Sequence, residues 1–370
     1  MEETSGQTGA EALLEGMARA GIDYLFANAG TDFPPIIEAL AHLDPATIPV
    51  PVTVPHETAA VAMAHGAYLV SGRAQAAMVH VNVGLANAVM GVINCASDNI
   101  PLLMMSGRTP ITERGRKGAR MTPIQYGQEM FDQSSLVRDV VKYTYEMRYP
   151  EQGGSLVARA MSIANSEPKG PVYLSLPKEP LSDVVPEPLR TQSVLPPPAT
   201  AAQPDPAAIA QTARWLEEAT HPVVICQRGD VDGRLSSVLS DFAAAHGISV
   251  YEPFSLRNVL SSDDPSLQGY GPSGAKDADL ILVIDSDTPW IEATGAPGAE
   301  ARVVHIGPDP HFGRMPVRGF KTDLAIASDP VAAINALHKE AHVGSGAAAR
   351  LAANTKAGRL RRETARATAA

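Results

Sequence analysis

VPVTVPHETAAVAMAHGAYLVSG, residues 50–72, runs from a Val-rich segment through Glu57 into a stretch made almost only of small apolar residues. The Val content of 50–54 reads as a parallel strand, and 57–70 reads as a helix that Gly72 ends. Glu57 would then stand at the carboxyl end of a strand, where open α/β sheets form their ligand crevices. Ala59, Ala60, Val61 and Met63 offer it no counter-charge, so desolvation favours a protonated or proton-sharing carboxyl. An acid at a helix start also complements the helix dipole, and that plainer reading holds unless other segments bring chemistry to the same rim.

Working outward, apolar runs alternate with helical patterns. DYLFA (23–27), VPVTV (50–54), AQAAMVHV (74–81), PLLMMSG (101–107) and PVYLSL (171–176) read as strands, with helices near 9–20, 34–42, 57–71, 85–97 and 154–166. This βα repetition predicts a doubly wound, mainly parallel sheet over residues 1–185. Residues 186–206 contain seven prolines and read as an extended linker. A second α/β domain is expected over 207–340, with a helix at 207–219 and strands at PVVIC (222–226), GISVYEP (247–253), DLILVID (279–285) and ARVVHIG (301–307). The fold class is thus α/β, with two doubly wound domains. Residues 341–370 are Ala-rich and basic, without large hydrophobes after Leu360, and read equally as a helical linker or a frayed end.

The chain has 370 residues and a formal net charge of −10, with 40 acidic against 30 basic side chains. That balance offers no basic surface for nucleic acid. No run approaches the ~20 apolar residues that span a bilayer, and the acidic start is unlike a secretory signal, so no membrane role is expected. Cys95 and Cys226 lie far apart in apolar stretches, which suits buried thiols in a reducing, cytoplasmic setting.

Two further strand ends share the rim of Glu57. Asn28-Ala29-Gly30-Thr31-Asp32 is a polar turn whose N–H groups and hydroxyl could hold an anion or polar substrate atoms. His80-Val81-Asn82-Val83-Gly84 follows another strand and leads into a helix carrying Asn87, which adds an imidazole. A proton-sharing acid, an imidazole and a hydroxyl-bearing turn together describe a pocket for proton transfer.

FANAGTDFPPIIEAL, PHETAAVAMAHGAYLVSG, VNVGLANAVMGVINCASDNIPLLMMSGRTP, YGQEMFDQ and GPVYLSLPKEP, in that order, resemble the pyrimidine-binding domain of thiamine diphosphate enzymes of the acetolactate synthase and benzoylformate decarboxylase group. GYGPSGAKDADLILVIDSDTPW and ARVVHIGPDP resemble their central domain. The resemblance implies that Glu57 hydrogen-bonds the cofactor's aminopyrimidine, with Gly84 and Asn87 beside it. It gives His80, four residues before Gly84, the place of the decarboxylase histidine. Asn28, Gly30, Thr31 and Gln128 then fall on the substrate side, with Thr31 touching the substrate carboxylate. Gly127 stands where the synthases carry an aromatic residue, which would open the pocket. The implied substrate is a 2-oxo acid or a related small acyl compound, cleaved by decarboxylation or used in carboligation.

The family's third domain holds Mg²⁺ and the diphosphate through G-D-G and a later Asn-Asn pair, and this sequence has no such pair. Gly229-Asp230-Val231-Asp232-Gly233 with Asn258 imitates it but follows the first strand of the central domain and reads as a βα turn. The expected site residues therefore include no metal ligand, and a complete site needs a diphosphate-binding domain, supplied by a partner chain or by a missing C-terminal portion. Pairing of pyrimidine-binding domains implies a homo-oligomer. In the central domain Asp230 would repel a pyrophosphate, which argues against FAD and leaves that domain a structural role. The competing reading is a non-catalytic truncated homologue that acts as scaffold or regulator of related subunits.

Overall fold

A computed structural model describes residues 6–190, 194–271 and 274–369. Residues 191–193 of the expected linker, 272–273 of the GYGPSGAK segment, the first five residues and Ala370 lie outside the described residues. The chain divides into two compact units, 1–200 and 201–370.

In the first unit the elements run α1 (Gly9–Arg19), β1 (Tyr24–Ala27), α2 (Pro34–His42), β2 (Val50–Thr53), α3 (Glu57–Ser71), β3 (Gln75–Val79), α4 (Val81–Ser97), β4 (Leu102–Arg108), α5 (Ile124–Gly127), β5 (Thr144–Glu146), α6 (Gln152–Asn165), β6 (Val172–Pro177) and α7 (Lys178–Ser182). The six strands form one parallel sheet in the order β2-β1-β3-β4-β6-β5. β3 and β4 are buried almost throughout, as continuous apolar runs covered on both faces should be. Alternation along the strands sends Leu25, Met78, Leu103, Met105 and Leu174 into a core shared with α1, α2 and α6. The opposite face meets α3 and α4. Thr8 and Glu11 form a reciprocal capping box at the start of α1, and Gly72 ends α3 in the left-handed conformation, φ 70°.

In the second unit the order is α8 (Pro206–Glu218), β7 (Pro222–Cys226), α9 (Arg234–His246), β8 (Ser249–Tyr251), β9 (Leu267–Gly269), β10 (Leu280–Ile284), α10 (Glu292–Gly295), β11 (Arg302–Gly307), β12 (Leu324–Ala327), α11 (Pro330–Glu340) and α12 (Ala347–Ala369). Its six parallel strands run β12-β11-β10-β7-β8-β9. The α/β class and the two parallel sheets agree with the sequence reading. The short strands β5, β9 and β12 and the helix α9 are additional to the elements expected from the sequence.

Two details depart from the expected elements. α4 begins at Val81 rather than near 85, with His80 as its N-cap, because a distant carboxylate accepts the first helical N–H: Asp32 Oδ2 lies 3.1 Å from Val81 N. Residues 347–369 of the expected tail form a helix lying against α9 and β9. It needs no large hydrophobes. Arg350 Nη2 donates to His246 O at 2.8 Å, Ser249 Oγ bonds Asn354 Oδ1 at 3.0 Å, and Gly247 approaches Ala347 so closely that a Cβ would lie 2.3 Å from its carbonyl oxygen.

Candidate active site

The chain leaves β1 toward β2 on one side, while β3 pairs with β1 on the other. The loops after β1 and β3 therefore diverge at a topological switch point, which opens a crevice at the carboxyl ends of the strands.

Glu57 is the first residue of α3, and His56 caps that helix by accepting from Thr58 N at 3.2 Å. Asn87 Nδ2 on α4 donates to Glu57 Oε2 at 3.2 Å, and Thr58 Oγ1 donates to Asn87 O at 3.1 Å. Gly84 lies opposite the other carboxylate oxygen: a Cβ there would meet Glu57 Oε1 at 3.4 Å and Val79 Cβ at 3.2 Å. Glu57, Gly84 and Asn87 are thus together, 27 and 30 residues apart in sequence, because α3 and α4 pack side by side. The dry surroundings expected of Glu57 are not built within this chain, since Glu57 is only half-buried and Asn87 is exposed. The small residues around it serve helix contact instead: Gly91 sits so close to Val61 that a Cβ would come within 2.7 Å of it.

On the other side of the crevice His80 Nδ1 lies 2.5 Å from Asp32 Oδ1. Asp32 is buried, 3 % exposed, and its second oxygen accepts from Val81. The hydrogen bond to Asp32 raises the His80 pKa above its ordinary value; burial opposes this, and the charges of Asp32 and Glu57 reinforce it. Gln128, which follows α5, places Nε2 3.4 Å from His80 Nε2. Its segment is pinned by Glu129, which pairs with Arg108 at 2.9 Å and with Arg120, while Arg108 also reaches Glu146 at 2.7 Å.

In the turn after β1 each residue has its own place. Asn28 Nδ2 is spent on Val54 O at 2.9 Å, tying β1 to the end of β2. Gly30 backs the imidazole, and a Cβ there would meet His80 Nδ1 at 2.2 Å. Thr31 is exposed on the rim. Asp32 was quoted in the turn but given no role, and Arg108, Arg120 and Glu129 were not singled out. Their partners lie 9 to 48 residues away, so no local pattern marks them. Asn82 Oδ1, in the first turn of α4, is buried without a hydrogen-bond partner.

In the second unit the corresponding switch point lies between β7 and β10. There the Asp230 carboxylate accepts from Leu235 N at 3.0 Å, so an acid already occupies the start of α9 where a phosphate would be drawn. Arg228 Nη2 reaches Asp287 at 2.6 Å, and burial, reinforced by Arg318 at 3.3 Å, pushes His305 down to about 4.

Residues 7–136 match the model of the thiamine pyrophosphate enzyme N-terminal TPP binding domain, and 209–337 match that of the thiamine pyrophosphate enzyme central domain. The acetolactate synthase large subunit of Parasynechococcus marenigrum is 26 % identical over 344 residues, 87 % of this chain and 52 % of that protein. Acetolactate synthase 3, chloroplastic, of Brassica napus is 26 % identical over 321 residues, 81 % of this chain and 46 % of that protein. Among solved structures, the benzoylformate decarboxylase of Polynucleobacter necessarius shares the fold with a TM-score of 0.73 at 20 % identity, covering 92 % of this chain and 63 % of that one. The chain spans about half the length of the curated relatives it matches.

Proposed function

Because this chain belongs to the thiamine pyrophosphate enzyme family, we propose that it is the aminopyrimidine-binding component of a thiamine diphosphate-dependent enzyme acting on a 2-oxo acid. The reaction is decarboxylation or a related lyase cleavage, with acetolactate-synthase-like carboligation as the other branch. The observation that carries this reading is the pairing of two proton-handling groups at one switch point, Glu57 held by Asn87 and His80 held by Asp32.

The aminopyrimidine end of the cofactor fits the residues present. Glu57 offers a half-exposed acceptor beside the Cβ-free surface of Gly84, and Asn87 fixes the carboxylate's orientation. The Mg²⁺ and diphosphate end has no ligand set among these residues, so a diphosphate-binding domain, on a partner chain or on a further portion of this one, belongs to the proposal. When bound, thiamine diphosphate would supply a nucleophilic carbon and a cationic ring able to take up the electrons of the bond being broken. The chain's own residues do the rest: Glu57 holds or releases a proton at Oε1, His80 does so at Nε2, and the Thr31 hydroxyl and Gln128 amide hydrogen-bond the substrate. FAD is not part of the reading, because Asp230 fills the helix start it would need.

Calorimetry tests the division of labour. This chain alone should bind thiamine diphosphate with Mg²⁺ more weakly than micromolar, because the charge-based ligands are elsewhere, and micromolar or tighter binding would overturn the domain reading. With the diphosphate-binding domain supplied, carbon dioxide release or a new carbon–carbon bond should be measurable from one of a panel of aliphatic and aromatic 2-oxo acids. A fully bound cofactor with no product from any of them would favour the non-catalytic scaffold.

Assembly is expected from the surfaces of α3 and α4. Met63, Leu69 and Val70 on α3, and Val83, Met90 and Ile93 on α4, are exposed at helical spacing where a solvent-facing helix would carry polar side chains. A second copy covering this face would also enclose Glu57. Sedimentation should therefore show a dimer or larger species, and Met90→Lys should shift it toward monomer. A parent chain that is monomeric at high micromolar concentration would count against a shared site. No helix among the described residues is long and apolar enough to cross a membrane; cytoplasmic residence is part of the proposal and rests on two buried, free cysteines.

A further inference from the structure

We infer that Asp32 is a positioning residue for His80: its buried carboxylate holds the Nδ1 proton in a fixed hydrogen bond, so that the imidazole gives and takes protons only through Nε2, the nitrogen beside Gln128. This deepens the proposed reaction and rests on it for the purpose of the arrangement, while the arrangement can be measured without any cofactor.

An ionised carboxylate can only accept hydrogen bonds. Asp32 accepts two of them, from His80 Nδ1 at 2.5 Å through Oδ1 and from Val81 N at 3.1 Å through Oδ2. Nδ1 must therefore carry its proton in both charge states of the ring. A residue serving only as a cap for α4 would need one oxygen; the second oxygen is committed to the imidazole. Two glycines make the fit possible. A Cβ at Gly107, at the end of β4, would fall 1.6 Å from Asp32 Oδ2, and a Cβ at Gly30 would fall 2.2 Å from His80 Nδ1. Carboxylate and ring thus occupy volumes that any other residue at those two positions would fill.

The groups facing the ring come from three elements: Asp32 from the turn after β1, Glu57 from the start of α3, and neutral Gln128 after α5. Both charged neighbours are acids and favour the cationic ring, in the direction already described. When Nε2 gives up its proton, the ring becomes the neutral Nδ1–H tautomer with its bond to Asp32 kept, so the transfer moves one proton. The His80 side chain is 18 % exposed, which allows solvent to return the proton. Gln128 can follow either state, with its amide nitrogen donating to a neutral Nε2 or its oxygen accepting from a protonated one.

The test is a pH titration of the whole chain labelled with ¹⁵N-histidine, read by long-range ¹H–¹⁵N correlation, with His80→Gln used to assign the signal. In the parent, Nδ1 should remain protonated throughout and Nε2 alone should titrate, with a midpoint above that of a free imidazole. In Asp32→Asn, which keeps the shape and removes the charge, the midpoint should fall and the neutral ring should become a mixture of tautomers. A parent ring whose neutral form carries its proton on Nε2 overturns the inference, and this outcome needs no variant to fold. So does a folded Asp32→Asn chain with the parental midpoint and tautomer. Absence of decarboxylation in the assembled enzyme, alongside the expected titration, would sink the functional reading and leave the assignment to Asp32 standing.

Discussion

Glu57→Gln, in an assembly that carries the diphosphate-binding domain, should slow exchange of the cofactor's C2 proton by about 10²–10⁴-fold, the range expected for loss of a general acid–base group. Gln preserves size and can still accept from Asn87 Nδ2, which now reaches Glu57 Oε2 at 3.2 Å, so α3 and α4 stay joined. What is lost is the acid facing Gly84. His80→Ala should leave C2 exchange nearly unchanged, because His80 belongs to the substrate side in this reading, and should slow turnover instead. The two variants separate cofactor activation from substrate chemistry. Quenched-flow deuterium exchange read by NMR makes the comparison. If Glu57→Gln exchanges at the parental rate, Glu57 is a helix-start acid and no more.

Arg228→Met should destabilise the second unit by about 3–5 kcal/mol, the usual cost of removing one member of a buried ion pair. The Arg228 side chain is 2 % exposed, with Nη2 2.6 Å from Asp287 Oδ2 and Nη1 3.8 Å from Asp285 Oδ1. Asp287 is itself buried, and its backbone N–H donates to Gln227 Oε1 at 2.9 Å. Met fills much of the vacated space, so the main loss is the closer of the two cations that face Asp287, Arg318 being the other. For a unit of this size the change corresponds to roughly 6–20 °C in the midpoint of its thermal transition. Adding Asp287→Leu to Arg228→Met should recover part of the loss, since the buried carboxylate that has lost its closest cation then goes too. A midpoint within a degree or two of the parent would show that the pair does not hold this switch point together.

The readable part of the site was the part written in short stretches of chain. Glu57 follows its strand by a few residues and opens its helix; His80, Gly84 and Asn87 lie within a single loop and helix start, and Gln128 stood out through its resemblance. Asn28 shows the limit. Its amide nitrogen bonds Val54 O, 26 positions away, and nothing local announces that partner. Asp32 shows the converse: an ordinary turn residue by composition, it becomes the partner of a histidine 48 positions away only because β1 and β3 are neighbours.

By itself the sequence determined the elements and their class, because parallel strands buried on both faces must be continuous apolar runs, and helices that cover them must repeat every three to four residues. It also determined that strand ends carrying Glu57 and His80 lie on one rim. Only the tertiary structure decided the strand order, and with it the switch point, the Asp32–His80 contact and the pairing of Asn87 with Glu57. The tail was decided there as well: α12 docks through hydrogen bonds and a close Gly247–Ala347 approach that leave no hydrophobic period to read. The physical reason is the same throughout. Periodicity is a local property of the chain, whereas hydrogen-bond partners and close approaches between distant segments depend on which strands become neighbours.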